Sequence, residues 1–140
     1  MKRVLGWVSM AALAILLVVP ASAQTITLKS SVPFDFMVGG RTMPAGEYVV
    51  RTDGRLGVLQ VSAANGIAPA FTTINAADGP LDGDGAFLTF NRYGGDYFLA
   101  KIWDRSTGAG VSIPMSRTER EKAKSASLGK PAVVTVLARR

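Results

Sequence analysis

The chain has 140 residues, 48% of them apolar, with 15 Gly, 7 Pro, no Cys, no His and a formal charge of +6. Without Cys there is no disulfide framework, iron–sulfur cluster, Cys nucleophile or zinc ribbon. Without His the usual neutral-pH base and imidazole ligand are missing, which excludes Ser-His-Asp and Cys-His chemistry.

Lys2 and Arg3 form a basic start, Val4 to Val19 an apolar run, and Pro20 precedes Ala21-Ser22-Ala23. This is the layout of a secretory signal peptide over residues 1–23, with small residues at 21 and 23 for cleavage after Ala23. The run is shorter than the ~20 residues of a bilayer span. The remaining residues suffice for one core without disulfide or metal. Their charge is uneven: residues 24–116 hold 7 basic and 8 acidic side chains, residues 117–140 hold 7 basic and 2 acidic. Any anionic partner is therefore to be sought at the C-terminus.

From Thr25 to Ile113 short apolar runs alternate with turn signals, as in antiparallel β-structure. Thr25 to Ser31 and Val32 to Val38 come first, the second with Val32, Phe34, Phe36 and Val38 on one face. A loop over 39–46 follows. Asp53-Gly54 and Asn65-Gly66 signal type I′ turns, linking Glu47 to Thr52, Leu56 to Ala63 and Ile67 to Ile74 in a meander. Two-residue turns would pair Glu47 with Gln60 and Arg51 with Leu56, putting Tyr48, Val50, Leu59, Val61, Ala70 and Ile74 inward and Glu47, Arg51 and Gln60 outward.

Residues 75–85 lack apolar periodicity and read as a surface loop. Asp78, Asp82 and Asp84 in that loop offer oxygen ligands, but an EF-hand series needs Glu where Tyr93 stands, so a solvated turn and no metal is the reading. Ala86 to Tyr93 and Asp96 to Asp104 flank Gly94-Gly95, a third type I′ candidate. That register pairs Arg92 with Tyr97, Phe90 with Leu99, Leu88 with Lys101 and Ala86 with Trp103. With apolar groups on both faces, this hairpin is central, covered by the opposing sheet on one side and by a loop or helix on the other. Val111 to Ile113 is a short strand. Ser116-Arg117-Thr118-Glu119 matches a capping box for a helix over about 117–126, and Ala132 to Ala138 is a last strand. The fold class is all-β, a single domain over 24–140: a compact barrel or two-sheet sandwich of eight or nine strands, with one helix before the last.

Arg92, Tyr93, Tyr97 and Trp103 form the densest aromatic and cationic cluster and are the candidate ligand surface. Arg117, Arg120 and Lys124, on a helix with almost no apolar face, are the candidate contacts for an anionic partner. Asp35, Glu47, Asp96 and Asp104 carry no spacing that makes an acid/base pair, so solubility and turn roles are expected. No catalytic residue, cofactor or metal site is read.

Val32-Pro33-Phe34-Asp35-Phe36-Met37-Val38-Gly39 and Met43-Pro44-Ala45-Gly46-Glu47-Tyr48 resemble the opening of a family of small, uncharacterised bacterial exported proteins. Leu88 to Gly94, Tyr97 to Leu99 and Val134 to Ala138 resemble its later blocks. The resemblance implies export and one domain, and brings no activity or ligand. The expected function is a secreted or periplasmic, non-enzymatic β-domain acting by binding or envelope assembly. Its partner is an envelope component or small molecule rather than nucleic acid, and the membrane is met only through the signal peptide before cleavage. The alternative is a lipocalin-like barrel carrying a small apolar or sugar ligand, an analogy of architecture alone; a His-independent carbohydrate-active enzyme is a distant third.

Overall fold

Alternation of buried and exposed side chains defines most of the strands in the computed structural model, which describes residues 25–65, 68–78, 85–105, 108–125 and 131–139. The expected signal peptide, Asp82, Asp84, Gly66, Ile67 and the last helical position, Ala126, lie outside the described residues. In chain order the elements are β1 (Thr27–Val32), β2 (Phe36–Val38), β3 (Arg41–Met43), β4 (Gly46–Asp53), β5 (Val58–Ala63), β6 (Ala70–Thr73), β7 (Asn75–Asp78), β8 (Ala86–Tyr93), β9 (Asp96–Asp104), β10 (Ala109–Ser112), α1 (Arg117–Ser125) and β11 (Ala132–Ala138).

Two sheets face each other in a sandwich-like arrangement, and they do not close into a barrel. The small sheet runs β1-β4-β5-β6. The large sheet runs β11-β8-β9-β10-β7, and the β2–β3 hairpin joins it through a parallel bridge from Met37 to Phe98. The sheets meet at one corner, where Lys29 and Arg139 exchange backbone hydrogen bonds of 2.6 and 2.9 Å. Between them the small sheet contributes Leu28, Tyr48, Val50, Leu59 and Val61, the large sheet Leu88, Phe90, Leu99 and Ile102, and the β2–β3 hairpin Phe36, Val38 and Met43. Phe34, Phe36, Tyr48, Phe90 and Tyr97 touch ring to ring through this core.

Tyr48, Val50, Leu59, Val61 and Ala70 are buried as expected and Glu47 and Arg51 are exposed, but the first hairpin has a longer turn than Asp53-Gly54 implied. Asp53 pairs with Val58, and Arg51 with Gln60 instead of Leu56. The Asp53 carboxylate accepts hydrogen bonds from the Arg55 and Leu56 amides at 3.0 and 3.2 Å, and the left-handed residue is Gly57. An aspartate that bonds the amides ahead of it favours a wider loop over a two-residue turn. The pairing shifts by four residues, an even number, so the inward face is preserved.

The expected loop over 39–46 holds a hairpin. Gly39 and Gly40, with φ of 57° and 76°, supply the type I′ turn between β2 and β3. A Cβ on Gly39 would lie 2.2 Å from the Phe71 carbonyl oxygen, so this turn packs directly on β6. The run from Val32 to Val38 is accordingly two strands in different sheets, broken at Pro33 to Asp35. The supposed loop after Ile74 begins as β7, an edge strand paired with β10 and invisible to periodicity because Asn75-Ala76-Ala77-Asp78 carries no large apolar group. These additions bring the strands to eleven among the described residues.

The central hairpin keeps its expected pairs Arg92 with Tyr97 and Phe90 with Leu99, around a turn left-handed at Gly94 alone, the II′ pattern. Beyond Phe90 the register shifts: Thr89 pairs with Lys101, Leu88 with Ile102 and Phe87 with Trp103. Ala100 is the extra residue of a β-bulge, its carbonyl oxygen accepting from Ile113 N at 2.8 Å. The bulge inverts the facing of the rest of β9. Ile102 enters the core, and Trp103, which strict alternation put inside, stands half-buried on the outer face.

Candidate functional site

The four residues expected to form one aromatic and cationic surface lie in three places. Tyr97 faces inward, stacked on Phe34 at 3.8 Å between centroids, with the Arg92 guanidinium 5.5 Å from its ring. Arg92 itself is exposed and donates from Nε to the Gly94 carbonyl at 2.7 Å. Tyr93 lies on the outer face beneath α1. Trp103 is also on the outer face, but six residues further along β9 than Tyr97, about 20 Å at strand rise.

At its Tyr93 end the outer face of the large sheet is roofed by α1. Ser116 starts the helix as expected, its Oγ accepting from Glu119 N at 3.1 Å. The Glu119 side chain turns into the protein: it is 4% exposed, and its Oε1 accepts from Asn91 Nδ2 at 3.0 Å and from the Tyr93 hydroxyl at 3.3 Å. Lys122 adds an ion pair to Asp96 at 2.8 Å. Beneath the helix Tyr93 and Phe98 meet edge to face at 5.7 Å. Burial pushes the Tyr93 hydroxyl above the ordinary tyrosine value, and the charge of Glu119 and the hydrogen bond to it add to this. Arg117, Arg120 and Lys124 point to solvent on the same side of the molecule, Arg117 also pairing with Glu121 at 3.4 Å.

Among the described residues no helix lies over the other half of this face. A transverse row of residues in register crosses five strands here: Leu137 opposite Phe87, Phe87 opposite Trp103, Trp103 opposite Gly110 and Gly110 opposite Ala77. Gly110 leaves room for the indole, since a Cβ there would sit 2.1 Å from Trp103 Cε3. Leu137 is 82% exposed, and Val133, four residues earlier on the same face and opposite Asn91 toward the helix end, is 65% exposed. Cations flank the rings: the Arg105 guanidinium lies 4.9 Å from the Phe87 centroid and Lys101 Nζ 5.9 Å from that of Trp103. Arg105 Nε is buried without a hydrogen-bond partner. Among the described strand residues of this face the one carboxylate is Asp96, at the helix end and paired with Lys122.

Phe87, Leu137, Lys101 and Arg105 were not legible as a site. Their grouping depends on the bulge at Ala100, and the period-two pattern that would reveal the face is broken there. Glu119 was missed for another reason, because the capping box already accounted for it locally.

The remaining carboxylates are spread over separate elements with separate roles. Asp35 accepts from Ala45 N at 2.8 Å, Asp96 pairs with Lys122, Glu47 is exposed on the small sheet and Asp104 is buried at the end of β9. Among the described residues no group of three acidic side chains is placed to hold a metal ion. A cleft of about 560 Å³ opens at the corner between the sheets, lined by Lys29, Ser30, Glu47, Tyr48, Leu137 and Arg139. No protein-family model, curated protein or solved structure matches the chain.

Proposed function

We propose that the chain is exported, cleaved after Ala23, and works without catalysis as a binding or assembly domain of the cell envelope, through the helix-free half of the large sheet's outer face. One observation carries this reading: a folded domain with a filled interior leaves the row Leu137, Phe87 and Trp103 outside, in register and bordered by Lys101 and Arg105. Apolar surface kept in water at such a cost marks a place of contact. A carrier would need a cavity where Phe36, Phe90, Met43 and Leu59 pack at no more than 2% exposure. A ligand therefore meets this domain from outside. The leader pattern of residues 1–23 and the resemblance to exported bacterial proteins support the location.

Intact mass of the secreted or periplasmic product is expected to correspond to a chain beginning at Gln24; full-length protein held in the membrane fraction overturns the export step. For the surface, a photo-crosslinking side chain at position 137 or at position 60, on the small sheet, is compared in living cells. Crosslinks to envelope material are expected from 137 and not from 60. Equal labelling from both positions removes the case for this face.

A further inference from the structure

Resting on that reading, we propose that the partner is an anionic bilayer surface. Leu137, Val133 and Trp103 enter the boundary between headgroups and acyl chains, and Lys101, Arg105 and Arg139 meet lipid phosphates. This goes beyond the brief membrane contact of a cleaved leader.

The chemistry of the face selects a lipid over other anionic partners. Its most exposed members are aliphatic, Leu137 at 82% and Val133 at 65%. Such side chains gain from hydrocarbon in proportion to the area removed from water, and a sugar offers them little. The ring faces that a sugar would stack on carry cations instead, at 4.9 Å over Phe87 and 5.9 Å over Trp103. An indole beside a lysine or arginine suits the interface, where the ring lies at headgroup level and the long side chain reaches out to phosphate.

Charge complementarity points the same way. On this face Lys101 and Arg105 form no ion pair with a carboxylate among the described residues, and Arg105 Nε is buried without an acceptor. Arg139 continues the outward series of Leu137 at the corner. On the same side of the domain the exposed face of α1 presents Arg117, Arg120 and Lys124, so the residues expected from sequence to meet an anion reinforce the same field. The small sheet's outer face is mixed in charge: Lys29 and Glu47 share the corner cleft with Leu137 and Arg139, so one carboxylate stands near this end of the row, while Arg51 lies farther along β4 and the large apolar residue, Phe71, is at the far edge from Leu137. Basic residues at a lipid surface act in this cumulative way, and an apolar anchor converts attraction into docking.

The test expresses the full coding sequence, purifies the chain as the cell delivers it, records its intact mass, and measures co-sedimentation with vesicles. Binding is expected to vesicles of phosphatidylglycerol with phosphatidylcholine, to be weak on phosphatidylcholine alone, and to fall as salt rises. Leu137→Ser should weaken it about tenfold, and Lys101→Glu or Arg105→Glu about fivefold each. Arg51→Glu, on the small sheet, should change it little. Circular dichroism confirms that each variant is folded, and Leu137 is exposed enough that its replacement does not threaten folding. Binding that is absent, or equal on both vesicles and unmoved by Leu137→Ser, overturns the proposal. So does binding to an acidic polysaccharide with none to vesicles. If crosslinks still form from position 137 while vesicles fail, the lipid assignment falls and the surface reading stands; if both fail, both fall.

Discussion

The two halves of the large sheet's outer face handle aromatic surface in opposite ways. At one end Tyr93 and Phe98 lie under α1 at 8% and 3% exposure. At the other, Phe87 and Trp103 are half-buried with the cations Arg105 and Lys101 over their rings. The helix that makes the difference has almost no apolar stripe, and a polar helix is usually solvated. It stays because one buried carboxylate, Glu119, satisfies two donors of the sheet, and because Lys122 reaches Asp96. Whether a strand face is core or surface is thus decided by what can be held above it.

The largest effect expected lies on the inner face that both halves share. Phe90 is 0% exposed and touches Phe34 and Phe36, so Phe90→Ala should cost about 3–5 kcal/mol in urea unfolding. Trp103→Ala, removing a larger but half-buried side chain, should cost only about 1–2 kcal/mol. Equal losses would mean that Trp103 belongs to the core and that the outer face is not bare.

Glu119→Ala tests what holds the roof. It leaves the Asn91 amide and Tyr93 hydroxyl donors without their acceptor, at a cost of about 2–3 kcal/mol, and amide exchange in 117–125 should accelerate. Glu119→Gln, which keeps an acceptor oxygen, should recover part of the loss. Exchange unchanged in Glu119→Ala would show that the helix is held by something other than this carboxylate.

The same contact predicts an alkaline weakness. Burial and the neighbouring Glu119 raise the Tyr93 value above 10.0, and burial and Asp35 do the same for Tyr48. The folded state holds these protons more tightly than the unfolded chain. Their contribution is therefore complete below pH 10.0 and is lost as pH rises through the raised folded values. Thermal unfolding across this range should show a falling melting temperature, and Tyr93→Phe should flatten the decline. A wild-type melting temperature that holds or rises there would contradict the assignment. The smallest effect belongs to Lys122→Ala: its pair with Asp96 is about half exposed on both sides, so less than about 1 kcal/mol is expected. A larger value would make the ion pair a second anchor of the helix.

Much of the fold could be read without the structure. Tyr48, Val50, Leu59 and Val61 declared their inward face by alternation, the helix declared its start at Ser116, and Ala132 to Ala138 declared itself by β-branched content. Within the candidate site the cations of α1 were legible, as was the aromatic richness of β8 and β9. The partition of those aromatics was not. Arg92 and Tyr97 pair as two-residue turn geometry requires, yet Trp103 is on the other face because Ala100 intrudes between them.

Facing within a strand, turn residues and caps follow from chemistry between neighbours in the chain, and for this protein they were enough to define an all-β domain with a polar helix before its last strand. The bulge at Ala100, the departure of β2 to the other sheet and the inward turn of Glu119 depend on residues distant in sequence: Ile113 for the Ala100 carbonyl, Phe98 for Met37, Asn91 and Tyr93 for the carboxylate. Each is a backbone or side-chain group whose hydrogen bond had several candidate partners along the chain. Packing of the two sheets selects among them, because a buried polar group left unpaired costs more than a local pattern broken.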